Sequence, residues 1–443
     1  MNQKISLKNI PTELLFNFQI QSCINKEFEN IFKNIKQSNL KNIHILFIEI
    51  EVLNNLIYSN FRYDLCYDLC YDIRYWNLSS YTNFLNLNLS ENKIYSLPDF
   101  FCKINVRGNL NLSCNQIRNL PKNFGVINVG GILNLSYNQL TSLPESFSKI
   151  KVGCSLLLSY NELKTLPKTF GKNTVIGSNL DLSYNQLSTL PKSFSDIIVG
   201  WDIYLQNNRI STLPKKFGGT KEKPFNIKGS LYIFLNILSI LPKSFKYIKI
   251  QGTLDFSYNQ IKYLPKKFGN NIIWCENLYL SHNKLITLPY GFDEIKISGD
   301  LDLSHNKLIN LTDEFGKIII GNNLDLSYNQ FITLPYNFGL LIRNDINLSY
   351  NKLISLPKSF CKMYLRGKLN LSHNELINLP NKIGKINING SLNLSYNQLS
   401  KLPFSFLKIT VGNDLYLNNN NFENLLLPKL INVKGWLSID NDD

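Results

Sequence analysis

The stretch "LNLSYNQLTSLPESFSKIKVGCS", Leu133 to Ser155, reads as one turn of a repeating unit. Leu133 and Leu135 alternate with Asn134 and Ser136, the period-two pattern of a half-buried strand. Leu140, Leu143, Phe147, Ile150 and Val152 supply more apolar side chains, and Pro144 and Gly153 bend the chain among them. Asn138 sets the register of the rest, recurring as Asn92, Asn115, Asn161, Asn185, Asn208, Asn236, Asn259, Asn283, Asn306, Asn329, Asn351, Asn374, Asn397 and Asn420. These fifteen positions are 22 to 24 residues apart, except for the 28-residue step from Asn208 to Asn236.

A single unit of this kind cannot bury its apolar side. Stacked units can, and their strands then form a parallel sheet with about 4.8 Å between neighbours. A recurring asparagine suits such a stack, because its amide donates to and accepts from backbone groups left unpaired where the chain turns. The residues from 81 to 443 are therefore expected to form one array, with residues 1–80 a separate N-terminal region.

The 443 residues are 44% hydrophobic and 18% charged, which is ordinary for a folded chain. Alanine is absent, and Asn, Ile, Lys, Leu and Tyr are abundant, a bias that an AT-rich genome imposes without selection for function. The net charge of +15 has two readings, an acidic or nucleic-acid partner and the same codon bias towards Lys. The eight cysteines show no CxxC pair and no framework spacing, so reduced thiols are the default. The start, "MNQKISLKNIPTELL", lacks a charged leader with an apolar core, and no run of about 18 apolar residues occurs. An intracellular, most simply cytoplasmic, protein without membrane contact is expected. The Asn-Leu-Ser sequons at Asn111, Asn134 and Asn393 are then by-products of the repeat.

The unit closely resembles the leucine-rich repeat family, whose signature L-x-L-x-x-N-x-L all fifteen units match if Ile or Phe stands for some leucines. The resemblance runs from about Leu85 to Ile439. The L-P-x-x-F continuation resembles the intracellular members, and the I-x-V-x-G segment is similar to repeats in proteins of giant DNA viruses and their protist hosts. That segment is expected to form a second short extended piece before the glycine. The resemblance implies an α/β-type right-handed solenoid, mostly strand and irregular turns, that binds a protein partner on its concave strand face. It implies no enzymatic activity and no cofactor.

The strand face offers ladders. The serine column (Ser136, Ser159, Ser183, Ser257, Ser304, Ser395) is read as outward, and the residue before the ladder asparagine is mostly aromatic. Tyr137, Tyr160, Tyr184 and Tyr258 stand there with His282, His305 and His373. Such rings either recognise a partner or stabilise the sheet by stacking on one another. His282 and His305 fall in adjacent units, but no third metal ligand is placed with them. Asp181, Asp255, Asp302 and Asp325 recur as a strand column rather than a catalytic pair, and no nucleophile grouping or phosphate loop appears. Lysines after the proline (Lys122, Lys168, Lys192, Lys215, Lys243, Lys266, Lys358) predict a basic stripe along one edge, with no aromatic interleaving for base stacking evident.

One unit departs from the rest. "LYIFLNIL", residues 231–238, keeps Leu231, Ile233, Leu238 and Asn236 but sets Tyr232, Phe234, Leu235 and Ile237 on a face that is polar elsewhere. It follows an insertion around "GGTKEKPFNIKG". Either this apolar break is a contact site, or the longer loop folds back and covers it with Phe225.

At the N-terminus, "TELLFNFQIQSCINKEFENIFKNIK" has apolar residues at helical spacing and reads as a cap shielding the first strand. "LKNIPTELLFNF", from Leu7, resembles the start of an F-box, which would dock the chain onto a ubiquitin-ligase adaptor. That family's later leucines and closing tryptophan are not found at recognisable spacing. "YDLCYDLCYDI", from Tyr63, would line Asp64, Asp68 and Asp72 along one helical face. At the far end, "GWLSIDNDD" supplies a last strand followed by acidic residues. The expected function is a non-enzymatic protein-binding scaffold. Its alternatives are an F-box-like ligase receptor and electrostatic nucleic-acid binding.

Overall fold

The computed structural model describes residues 83–268, 275–423 and 431–439. The F-box-like stretch, the YDLC repeat and the terminal Asp440, Asp442 and Asp443 lie outside them. The described residues form one solenoid. Sixteen two-residue strands, from Leu87–Asn88 to Leu437–Ser438, pair in parallel in strict chain order to make a front sheet. Register is constant, with Leu110 opposite Leu133 and Leu133 opposite Leu156. In every front strand but the last, where Leu437 is exposed, the leading Leu or Ile is buried and its successor is more exposed, the alternation that the sequence predicts.

The I-x-V segment forms the expected second strand. Asn128–Val129 and Lys151–Val152 pair in a back sheet, with the valines inward. The closing turns are tight there: a side chain on Gly153 would collide with the carbonyl of Gly130, and one on Gly177 with that of Gly153. Between front and back, the L-P-x-x-F stretch is a short turn, a single 3-10 turn in most units and a plain turn around Phe170, Phe217, Phe268 and Phe338. Over Glu145–Lys149, Pro144 fixes the entry, its carbonyl accepts the Phe147 N–H at 2.8 Å, and Ile150 leaves extended. Among the described residues every helical segment is of this kind, three to five residues long.

Leu133, Leu135, Leu140, Leu143, Phe147, Ile150 and Val152 are all buried. At about 1.5–3 kcal/mol for each such side chain, stacking rather than any polar contact drives the fold. The phenylalanines of successive turns form a spine, with Phe101, Phe124 and Phe147 near-parallel at 6.3 and 6.2 Å between centroids.

The asparagine ladder behaves as its chemistry requires. Asn138 Nδ2 donates to the carbonyls of Leu112 (2.9 Å), Leu135 (3.2 Å) and Ser136 (3.2 Å), and its Oδ1 accepts the Ile117 N–H at 3.0 Å. Each amide thus ties its own unit to the one before. Asn236 keeps the same bonds across the long step, to the Leu205 carbonyl and from the Ile210 N–H.

The insertion closes on itself on the flank that leads to the back strand. Thr220 donates its N–H to the Lys223 carbonyl, and Phe225 donates to the Gly218 carbonyl. Gly219, at φ 81°, supplies the left-handed residue that this reversal needs.

Candidate binding face on the front sheet

Three columns of side chains rise from each front strand. The first is the strand's second residue: Asn88, Asn111 and Asn134 early, then Asp181, Tyr204, Tyr232, Asp255, Tyr279, Asp302 and Asp325, then Asn347, Asn370 and Asn393. Its Asn or Asp closes a local turn with the serine two residues on. Asn134 Oδ1 accepts the Ser136 N–H at 3.0 Å and its hydroxyl at 2.6 Å; Asp181 Oδ1 does the same for Ser183 at 2.9 and 2.6 Å. The same atoms are engaged at the sequons Asn111, Asn134 and Asn393.

The second column is that serine, and here the outward reading needs correction. Ser136, Ser159, Ser183, Ser257, Ser304 and Ser395 are buried. Where the front strand carries Asn or Asp, the serine is folded down into the turn and offers little to a partner, while the Asn or Asp itself stays partly exposed.

The third column precedes the ladder asparagine, and all fifteen of its residues, from Glu91 to Asn419, hold φ between 50° and 61°. None is glycine, so each carries left-handed backbone strain of roughly 1–2 kcal/mol. Stacking repays it where rings meet. Tyr137, Tyr160 and Tyr184 stack at 4.3 and 4.2 Å. Tyr258, His282, His305, Tyr328, Tyr350, His373 and Tyr396 form a second run at 4.0–4.2 Å, all within 11° of parallel. The ring faces are covered by neighbours, so the stabilising role has direct geometric support; edges and hydroxyls remain open. Burial, then the charge of His305, lowers the pKa of His282. Among the described residues no three His, Cys, Asp or Glu side chains could hold a metal.

Asn207 and Leu235 separate the two aromatic runs. Around Leu235 the expected break is present: Tyr232 and Phe234 are half-buried, and Leu235 and Ile237 are 44% and 46% exposed. Tyr232 stacks on Tyr204 at 5.1 Å, and Tyr204 donates its hydroxyl to Asp202 at 3.0 Å. The covering role proposed for Phe225 is not found. That ring is buried, edge-on to Phe194 and Phe217 at 6.5 and 5.6 Å. It fills the place that Ile150 holds in its own unit, so the insertion contributes to the core and leaves the break open. In the preceding unit, Gln206 Oε1 and Asn207 Nδ2 are covered without a hydrogen-bond partner.

A second polar ladder escaped the sequence reading. The residue before most front strands accepts the backbone N–H of its counterpart one unit on: Asn86 from Asn109 (2.7 Å), Asp202 from Ser230 (2.7 Å), Asp300 from Asn323 (3.0 Å) and Asp414 from Trp436 (2.9 Å). Its only mark in sequence is a small polar residue after the I-x-V-x-G segment. At Asp414 the Trp436 N–H lowers the carboxyl pKa most, against the opposing effect of burial.

The post-proline lysines are all exposed along one edge. In three units an exposed aromatic stands in the lysine's place: Tyr290, Tyr336 and Phe404 follow Pro289, Pro335 and Pro403.

Together the repeat, its two ladders and its strand face have the fold of a leucine-rich-repeat solenoid. The Leucine Rich Repeat family model matches residues 132–150 and 178–197. Among solved structures, the chain is similar to a leucine-rich-repeat protein of Leptospira interrogans, at 26% identity over 76% of this chain and 79% of that one, with a TM-score of 0.55. A leucine-rich repeat protein of Bacteroides eggerthii is 18% identical over 74% of this chain and 62% of that one, with a TM-score of 0.54. A chain of the Toll–Spatzle complex of Drosophila is 20% identical, with a TM-score of 0.60; the match covers 76% of this chain and 47% of that one. These last two show the fold alone. No curated protein matches the sequence.

Proposed function

We propose that this chain is a non-catalytic scaffold that holds a protein partner against its front, concave sheet, with the break at Tyr232, Phe234, Leu235 and Ile237 as the specificity element. The observation that carries this reading is the open break. At one place Phe234 and Ile237 replace the polar residues of the repeat and Leu235 replaces its ring, beside Tyr232, and the loop that could have covered them packs Phe225 into the core instead. The open edges of Tyr137, Tyr160, Tyr184, Tyr258, His282 and His305 extend the contact on either side. The repeat fold is a common protein-interaction scaffold, and the Toll–Spatzle complex is one structure of that fold seen with a partner. The five described cysteines are free, which supports a reducing, intracellular setting, and the I-x-V-x-G segment supports the viral or protist type of repeat.

The test compares the full chain with a variant restored to the repeat pattern, Phe234→Ser, Leu235→Tyr and Ile237→Gln, as baits in cells of the source organism. Proteins recovered by the parent and by the edge variant Lys266→Ser, but lost from the restored variant at unchanged melting temperature, support the reading. Equal recovery by all three overturns it.

A further inference from the structure

We infer that the partner segment seated on the front sheet is extended and basic, with lysine or arginine side chains interleaved with apolar ones; this rests on the scaffold reading above. The chain is strongly cationic, yet its front sheet is anionic over a defined interval. From Asp181 to Asp325 the strand column reads Asp, Tyr, Tyr, Asp, Tyr, Asp, Asp on consecutive strands. Asp202, Asp300 and Asp345 join it from the pre-strand ladder. On both flanks the same column is uncharged: Leu157 and then Asn134, Asn111 and Asn88 on one side, Asn347, Asn370, Asn393 and Tyr416 on the other.

Folding does not require these charges. Asn134 closes its serine turn as well as Asp181 does, and Asn86 caps its neighbour as well as Asp202 does. Charge is also costly at these places. Asp302 and Asp325 are register partners in adjacent strands, where like charges repel. Burial, helped by the charge of Asp302, pushes the Asp255 carboxyl pKa up against the lowering effect of Ser257. No lysine or arginine pairs with any of these carboxylates among the described residues; the ion pair found there is Lys223 with Asp196, on the insertion. A column that departs from the neutral residue its fold accepts, at an electrostatic cost, over the interval that also contains the apolar break, is complementary to cations brought by a ligand. Tyr204, Tyr232 and Tyr279 between the carboxylates suit the stems and heads of lysine and arginine. Seven strands at about 4.8 Å span ~29 Å, a length covered by about nine extended residues.

The probes are three fluorescent twelve-residue peptides alternating leucine with lysine, glutamate or serine, titrated onto the full chain. The lysine peptide should bind at least tenfold more tightly than the other two and weaken with added salt. It should lose tenfold or more on Asp255→Asn, Asp302→Asn and Asp325→Asn combined, changes that keep the serine turns. Phe234→Ser should also weaken it. Equal binding of all three peptides, no binding of any, or binding indifferent to the three asparagines overturns the basic-segment inference. The scaffold reading stands or falls separately, on whether the restored variant loses the proteins recovered in cells.

Discussion

The ring of Phe225 stands edge-on to Phe217, 5.6 Å between centroids and 86° between planes, inside the core rather than over the front sheet. This placement separates two residues that adjoin in function but not in energetics. Phe225→Ala should lower stability by about 3–5 kcal/mol through the cavity it leaves, whereas Phe234→Ser, at a half-exposed site, should stay within about 1 kcal/mol. Urea unfolding of the two variants checks the contrast.

The asparagine ladder makes a sharper demand. Asn259 joins the break unit to the next by donating to Ile233, Phe256 and Ser257 carbonyls and accepting the Leu238 N–H at 2.9 Å. Asn259→Leu keeps the branched shape but strands a buried N–H and a buried carbonyl, at a cost of about 3 kcal/mol. Hydrogen exchange should show Leu238 losing protection first; unchanged exchange there would mean that another group serves the amide.

In the left-handed column two effects compete, and glycine reveals which wins. Tyr160 stacks on both sides, at roughly 0.5–1.5 kcal/mol for each pair, so Tyr160→Gly should be net destabilising by about 1 kcal/mol. Leu235, at φ 51°, has no ring of its own to stack, and Leu235→Gly should be neutral or stabilising by up to about 1 kcal/mol. Thermal melts of both variants give the two signs.

His282 predicts an acid-sensitive fold. Its folded pKa lies below the ordinary value near 6.5 because burial and His305 oppose its protonation. The unfolded chain therefore takes up the proton first, and the stabilising contribution present above that ordinary value is lost as pH falls through the lowered one. His282→Tyr, which matches its column, should flatten the melting temperature between about pH 7 and pH 5. An equally steep variant would place the sensitivity elsewhere.

The repeat period, the ladder asparagine and the core positions were legible because each answers to spacing alone: Leu133, Asn138 and Phe147 recur at offsets that only a stack explains. The serine column was misread because strand alternation assigns a side chain to a face but says nothing of a local turn that folds Ser136 down onto Asn134. Left-handed backbone at Tyr137 left no mark, since no glycine announces it. The pre-strand ladder was hidden by its tolerance of Asn, Asp and Ser alike. Phe225 was readable in principle: Phe225-Asn226-Ile227-Lys228-Gly229 repeats the I-x-V-x-G frame with one ring substituted, which already places it in the core.

Site-specific photo-crosslinking in cells tests the docking face most directly. A photoreactive phenylalanine replaces Tyr232 in one chain, Lys122 in a second and Tyr336 in a third. A front-sheet scaffold predicts a discrete protein adduct from position 232, abolished by Phe234→Ser, and none of that mass from either edge position. The same adduct arising from the edge positions and not from 232 would contradict it.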